Sequence, residues 1–290
     1  MDVGIVGLGT MGGRMAERCV EARHRVIAFD VSSAAREQAA ASRVEIAASV
    51  ADVAASTSVV LLSLPTPEHV ESVVTGPNGI LERPAPELVV VDTSTVDPDT
   101  TRRMAARAAR SGIAYLDAPV LGRPDSCGAW TFPVGGDEEA LARARPALEV
   151  LGKNVIHTGH SGTGNAIKLL NNLMFGAINS VTAEAMALCE AVGIPPATFL
   201  DVVSDSGAAT VSPLFRQSGR KIVDGDSSPT FTIDLMHKDV ALAAAMAGGT
   251  ASGLTMANAV LSLTEAAREA GIGGEDTSAI VKIYRSRLDS

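Results

Sequence analysis

The sequence predicts a parallel α/β domain followed by an all-α domain, with one long helix joining them. Three observations carry this. Short apolar runs rich in Val, Ile and Leu alternate with Ala-rich helical stretches through the first half of the chain. From about Gly162 the apolar runs stop and only helical patterns follow. At the changeover, Asn165 to Ala191 reads as one unbroken helix, about 40 Å long at 1.5 Å per residue, which is enough to bridge two domains. The expected division is therefore 1–161 and 162–290, with 162–192 as the joining helix.

Val3-Gly4-Ile5-Val6 reads as a buried strand and Met11–Ala22 as the helix after it. Arg25–Asp30 and Ser33–Ser42 repeat the pair. Val59–Leu64, Leu88–Asp92 and Ile113–Asp117 are further strands. Runs apolar at successive residues suit strands buried on both faces, hence a parallel sheet covered by helices. In the second half, helices are expected at Pro196–Ser204, Leu214–Val223, Ile233–Ala247, Met256–Ala270 and Thr277–Leu288. Gly193-Ile194-Pro195-Pro196 is a helix stop and restart.

Bulk properties narrow the function. A chain of 290 residues, 46% hydrophobic and 20% charged, has room for two cores. With aromatics at 3%, Ala, Val and Leu must fill them. A net charge of −9 argues against nucleic acid or an anionic membrane as partner and leaves a small anionic ligand open. Cys19, Cys127 and Cys189 are scattered without a C-x-x-C, as expected for reduced thiols. His157 and His160 are the closest histidine pair, and no metal site is expected from them. Val3–Leu8 has no basic flank, and Val59–Leu64 is far short of the ~20 residues that span a bilayer. A soluble, cytoplasmic protein is expected.

The sharpest local signal is Gly7-Leu8-Gly9-Thr10-Met11-Gly12, a G-x-G-x-x-G that follows a strand and opens a helix. The first Gly makes a tight turn, the second lets backbone approach a pyrophosphate, and the third lets helix and strand pack closely. Asp30 ends the second strand, where an acid bonds the 2′-hydroxyl of an adenosine ribose. These features predict a Rossmann domain that holds NAD. A carboxylate repels a 2′-phosphate, so NAD is preferred. NADP remains possible, with Arg36 six residues beyond Asp30.

Lys168 and Asn172 share one face of the long helix, one turn apart. Ile167, Leu169 and Leu170 flank Lys168 in sequence, which suggests an apolar setting and a lowered amine pKa suited to acid–base work. Only five Lys stand among 24 basic residues, which hints at a need for a titratable amine here.

Taken together and in order, the motifs resemble the β-hydroxyacid dehydrogenases. They are Gly7–Gly12, Asp92–Pro98, Asp117-Ala118-Pro119-Val120, Gly135-Gly136, Gly162-x-Gly164-x-x-x-Lys168-x-x-Asn171-Asn172 and His237-Lys238-Asp239-Val240. That group includes 3-hydroxyisobutyrate dehydrogenases, tartronate semialdehyde reductases and 3-sulfolactaldehyde reductases. The resemblance implies a helical second domain that dimerises, and a homo-oligomer, dimer or tetramer. It implies Lys168 as catalytic acid/base and Asn172 as the residue orienting substrate, with Asn171 beside it. It places Leu64-Pro65 and Thr95 against the cofactor and brings Lys238 over the nicotinamide end. Phe231 and Asp234, within two turns before Lys238 on the same helical side, would support that closure, with plain core packing the alternative for Phe231.

The chain departs from the family at the substrate loop. Where the family reads Asp-Ala-Pro-Val-Ser-Gly-Gly, this chain has Asp117-Ala118-Pro119-Val120-Leu121-Gly122-Arg123, followed by a shorter stretch to Trp130. Leu121, Gly122, Arg123 and Trp130 are the expected substrate contacts. Arg123 has the chemistry to clamp a carboxylate or sulfonate with paired bonds; the alternatives are solvent or a pair with Asp125. Trp130 is either a pocket wall or core. The expected reaction is hydride transfer between nicotinamide and a small 3-hydroxy acid or semialdehyde of the 3-hydroxyisobutyrate kind. A reductase of sulfolactaldehyde or another anionic aldehyde is the alternative. Imine reductases share the architecture but generally place Asp or Tyr at the Lys168 position. Non-catalytic scaffold relatives usually lose the lysine.

Overall fold

The apolar runs of the first half become one eight-stranded sheet in the computed structural model, which describes residues 1–208, 210–248 and 253–288. The first half runs β1 (Asp2–Val6), α1 (Thr10–Glu21), β2 (Arg25–Phe29), α2 (Ser33–Ala41), β3 (Glu45–Ile46), α3 (Val50–Ser56), β4 (Val59–Leu62), α4 (Pro67–Thr75), β5 (Val89–Asp92), α5 (Pro98–Arg110), β6 (Ala114–Asp117), β7 (Trp130–Gly135), α6 (Glu138–Leu151) and β8 (Gly152–Gly159). The strand order is β3-β2-β1-β4-β5-β6-β7-β8. Pairing is parallel from β3 through β6.

The expected all-parallel sheet is corrected at one place. β7 runs antiparallel to β6, with Asp117 opposite Gly135, and β8 then pairs parallel to β7. Residues 118–129 contain only a 3₁₀ turn, Pro124–Ser126. A connection without a crossover helix returns the chain antiparallel, whereas α6 supplies the crossover that makes β8 parallel to β7. The sequence did not single out β7 because Pro133 interrupts it. It did not single out β8 because that edge strand is largely exposed and polar.

Side chains alternate between two cores. Val3 and Ile5 of β1 join Met15, Cys19, Leu141 and Leu148 under α1 and α6. Val6 joins Val53, Val70 and Met104 under α3, α4 and α5 on the other face. Gly4 is glycine because a Cβ there would sit 2.6 Å from Val53.

The chain divides into two compact units, Met1–Lys168 and Leu169–Ser290, a division that falls inside α7 (Thr163–Ala191). The last two residues of the expected second domain, 289 and 290, lie outside the described residues. The second unit continues with α8 (Pro196–Asp205), α9 (Pro213–Asp224), α10 (Ile233–Ala245), α11 (Thr255–Glu269), a 3₁₀ turn at Thr277–Ile280 and α12 (Val281–Leu288). Its core gathers Met186, Leu200, Phe215, Met236, Val260 and Ile280. Buried Asn179 pins α7 within it, donating to the Thr277 carbonyl at 2.6 Å and accepting from Ser218 at 2.6 Å. Among the described residues no helix is long and apolar enough to cross a membrane.

Candidate active site

The three glycines of the first turn do three different jobs. Gly7 has φ +91°, and a Cβ there would lie 2.2 Å from the Ser63 carbonyl oxygen. A Cβ on Gly12 would lie 1.8 Å from the Gly7 carbonyl oxygen, so α1 can approach β1 only because that atom is missing. A Cβ on Gly9 would meet nothing within 4 Å. Gly9 is the N-cap of α1, and no side chain caps that helix. The first N–H groups of α1 thus have no capping side chain and, with the help of the helix dipole, can hold an anion.

Asp30 stands just past β2 and ties two turns together. Its Oδ2 accepts from the Leu8 N–H at 2.6 Å and its Oδ1 from the Ser32 N–H at 2.8 Å. Arg36 lies over the Phe29 ring and donates to the carbonyls of Asp30 (2.5 Å) and Val31 (3.1 Å). A carboxylate beside the glycine turn, with the neighbouring guanidinium bonded to backbone, fits a ribose diol better than a phosphate.

The strand order reverses direction between β1 and β4, and the loops leaving the C-terminal ends of β1, β4 and β5 are bonded to one another. Ser63 N–H donates to the Val6 carbonyl at 3.0 Å, and Leu64 N–H to Ser94 Oγ at 3.0 Å. This gathers Gly7–Gly12, Leu64-Pro65 and Thr95 at the switch point, where open α/β sheets bind their ligands. The residues present fit a dinucleotide.

The ends of β5 and β6 carry two buried carboxylates that sequence reasoning left without a role. Asp92 accepts from Ser94 N–H (2.9 Å) and Tyr115 O–H (2.8 Å), and burial pushes its pKa up to about 6. Asp117 accepts from the Gly162 and Asn165 N–H groups, both at 2.8 Å, and so caps α7. Burial raises its pKa as well, against the pull of those N–H groups. The family glycines crowd this carboxylate: a Cβ on Gly135 would lie 2.5 Å from Asp117 Oδ1, and one on Gly164 2.7 Å from its backbone oxygen. Acids at the C-terminal ends of two apolar runs, β5 and β6, were the available signal.

Lys168 is half-buried on α7, in the second turn from that cap. Its sequence neighbours do not all surround it with apolar atoms as expected. Leu169 is buried, but Ile167 and Leu170 are exposed, because each helical step turns the next side chain by about 100°.

In the substrate loop, Leu121 forms a two-bond antiparallel bridge with Thr131. Trp130 proves to be core, with no exposed surface, which corrects its assignment as a substrate contact. It shapes the loop from beneath: its Nε1 donates to the Arg123 carbonyl at 2.6 Å, and a Cβ on Gly122 would lie 2.3 Å from the indole. Arg123 is exposed, and Asp125 faces Arg14 of α1 at 4.0 Å instead.

The second unit carries its own polar group. Asn172 is nearly fully buried; its Nδ2 donates to Asp239 Oδ2 at 2.6 Å, and its Oδ1 accepts from Asn171 Nδ2 at 3.1 Å. Lys238 Nζ lies 3.1 Å from Asp239 Oδ1. Asp239 thus fixes Asn172 and holds Lys238, a role its place in the His237–Val240 motif did not reveal. Phe231 precedes α10 rather than lying on it and packs edge-on against Phe175 at 5.4 Å. Asp234 pairs with Arg268 of α11 at 2.9 Å and so ties two helices together.

Comparison with known proteins agrees with this geometry. Residues 2–159 match the family described as the NAD binding domain of 6-phosphogluconate dehydrogenase, and residues 162–284 match the NAD-binding domain of NADP-dependent 3-hydroxyisobutyrate dehydrogenase. The chain is 35% identical to a 3-hydroxyisobutyrate dehydrogenase of Pseudomonas aeruginosa, with 99% of each chain covered. The chain belongs to the β-hydroxyacid dehydrogenase family. The dehydrogenase is also 33% identical to the 3-sulfolactaldehyde reductase of Escherichia coli, over 98% of this chain and 95% of the relative. A solved 3-hydroxyisobutyrate dehydrogenase of Salmonella typhimurium superposes with a TM-score of 0.87 at 31% identity, covering 98% and 99% of the two chains. The family is NAD(P)-dependent.

Proposed function

We propose that this dehydrogenase interconverts a small 3-hydroxy acid of the 3-hydroxyisobutyrate kind and its semialdehyde, with Lys168 as the acid–base group. The observation that carries this is the placement of Lys168 on a helix fastened through Asp117 to the end of β6. A nicotinamide dinucleotide bound at the glycine turn supplies or accepts the hydride. In oxidation a neutral Lys168 takes the hydroxyl proton as hydride leaves the carbinol carbon. In reduction the Lys168 ammonium returns that proton to the forming alkoxide. Asn172, held by Asp239, orients the substrate with Asn171 beside it. Gly7 to Gly12 hold the pyrophosphate, Asp30 the ribose, and Leu64, Pro65 and Thr95 line the cofactor's path. Lys238 completes the set of residues read as cofactor contacts. Asp30 favours NAD over NADP. The test is Lys168→Ala: NADH binding persists and turnover falls at least about 100-fold. Near-wild-type turnover contradicts the assignment.

Arg123 favours a second reading, reduction of a more strongly anionic aldehyde such as sulfolactaldehyde. The loop Leu121-Gly122-Arg123 exposes a guanidinium where the family has small residues. A panel of methylmalonate, tartronate, succinate and sulfolactaldehyde forms separates the readings. An unchanged KM in Arg123→Ala excludes it as the anion clamp.

A homo-oligomer fits the surface of α7, where Met174, Val181 and Leu188 recur every seven residues with 64%, 57% and 53% exposure. Light scattering should give a multiple of the chain mass, and Val181→Glu should reduce it. Three unpaired cysteines suit the reducing cytoplasm.

A further inference from the structure

The geometry points to Asn165 as a positioning residue that sets the placement of Lys168 relative to Thr95. The inference rests on the reading of Lys168 as the acid–base group.

Asn165 is completely buried in the first turn of α7, three residues before Lys168. Its Oδ1 accepts from the Val96 N–H at 3.2 Å. Its Nδ2 donates to Thr101 Oγ1 at 3.1 Å. Its own N–H donates to Asp117 Oδ2 at 2.8 Å. One residue therefore ties α7 to the loop after β5, to α5 and to the end of β6. Val96 and Thr101 are themselves fully buried, so these bonds have no water to replace them. A buried amide is costly unless its partners are in place, so this site favours one rotation and one height of the helix.

Rotation is what matters to Lys168. A lysine amine stands roughly 8 Å from its helix axis, taking the 2.3 Å Cα radius and about 6 Å of side chain. A 10° turn of the helix then moves the amine about 1.4 Å, and a misplacement of about 1 Å is enough to cost on the order of 100-fold in rate. Thr95 precedes Val96, so the bond from Asn165 to the Val96 N–H fixes the other side of the same distance. Asp117 alone cannot do this. It holds two N–H groups at the very end of the helix, near the axis, where rotation displaces them little.

The experiment compares Asn165→Ala in the wild-type and Lys168→Ala backgrounds, using the substrate that the wild type turns over fastest. NADH binding by fluorescence and single-turnover NADH oxidation are the readouts. The expected result is a loss of about 10- to 100-fold in kcat from Asn165→Ala, with the NADH Kd within about twofold of wild type. In the Lys168→Ala background, Asn165→Ala should lower the residual rate by less than about twofold, because the group it positions is gone. Thr101→Val removes one bond only, and a loss of about 3- to 10-fold is expected from it. That variant carries the test if Asn165→Ala does not fold. Unchanged kcat, or an equal loss in both backgrounds, overturns the inference. Retained turnover in Lys168→Ala alone contradicts the reading of Lys168 instead, so the two failures are separable.

Discussion

A methyl group added at Gly9 and one added at Gly12 should have opposite consequences. At Gly12 the new carbon lies 1.8 Å from the Gly7 carbonyl oxygen, deep inside van der Waals contact. That oxygen belongs to a turn held by the Gly7 N–H bond to Phe29, so neither side yields easily. Overpacking of this kind costs about 3 kcal/mol. At about 2–4 °C per kcal/mol for a unit of this size, Gly12→Ala should lower Tm by about 6–12 °C. At Gly9 the methyl meets no protein atom within 4 Å, and the residue's φ of −64° suits alanine. Its cost to stability should stay below about 1 kcal/mol, the loss of a favourable N-cap residue. The methyl does occupy the space a pyrophosphate needs. Each charge-assisted bond to an N–H is worth about 1.5–3 kcal/mol, so losing two should weaken NADH binding at least about 100-fold. Thermal melts with and without NADH separate the effects. Wild type at 100 times Kd should gain about 2.7 kcal/mol, and Gly9→Ala almost nothing. Full NADH affinity in Gly9→Ala, or wild-type stability in Gly12→Ala, refutes the reasoning.

Three further outcomes follow from other parts of the fold. Asp92 titrates near 6 in the fold against 3.8 ordinarily, so its protonated form favours folding and that advantage is lost as pH rises from about 4 to 6. Denaturant titrations should show Asp92→Asn gaining about 3 kcal/mol on wild type across that window, and a pH-independent difference excludes the account. Arg23 and Arg43 both hold φ +65° at exposed helix ends, where glycine is free of Cβ strain. Arg23→Gly and Arg43→Gly should each raise stability by about 1 kcal/mol in the same titrations, and a loss from both contradicts the strain argument. Trp130→Phe removes the bond to the Arg123 carbonyl and should raise substrate KM several-fold while NADH Kd stays constant, whereas an unchanged KM shows that the loop holds its shape without it.

The parts of the fold legible in sequence are those with a simple period or a fixed stereochemical demand. β1, β2, β4 and β5 were visible as apolar runs, and Gly7, Gly9 and Gly12 as a glycine turn between a strand and a helix. The helices from α8 to α11 came within two residues of their observed ends because Pro196, Pro213 and Gly225 punctuate them. β7 and α6 escaped because Pro133 and Pro146 lie inside them, and a proline is read locally as a break while tertiary packing tolerates it here. At the candidate site, Lys168 and Asn172 were singled out because residue type and helical spacing carry the signal. Asp92, Asp117, Asn165 and Asp239 were not given roles. Each acts through partners far away in the chain, such as Asp117 on Gly162, Asn165 on Val96 and Asp239 on Asn172. Trp130 was ambiguous for a related reason: burial depends on what lies above a residue, and Gly122 alone did not say that it lay above the indole.

The central claim is that the amine of Lys168 moves the proton while the glycine turn independently holds the cofactor. Single-turnover oxidation of bound NADH by the best semialdehyde of the panel, in wild type and Lys168→Ala, tests it most directly. The account predicts equal NADH affinity in the two proteins and a hydride-transfer rate at least about 100-fold lower in the variant. Equal rates would contradict it.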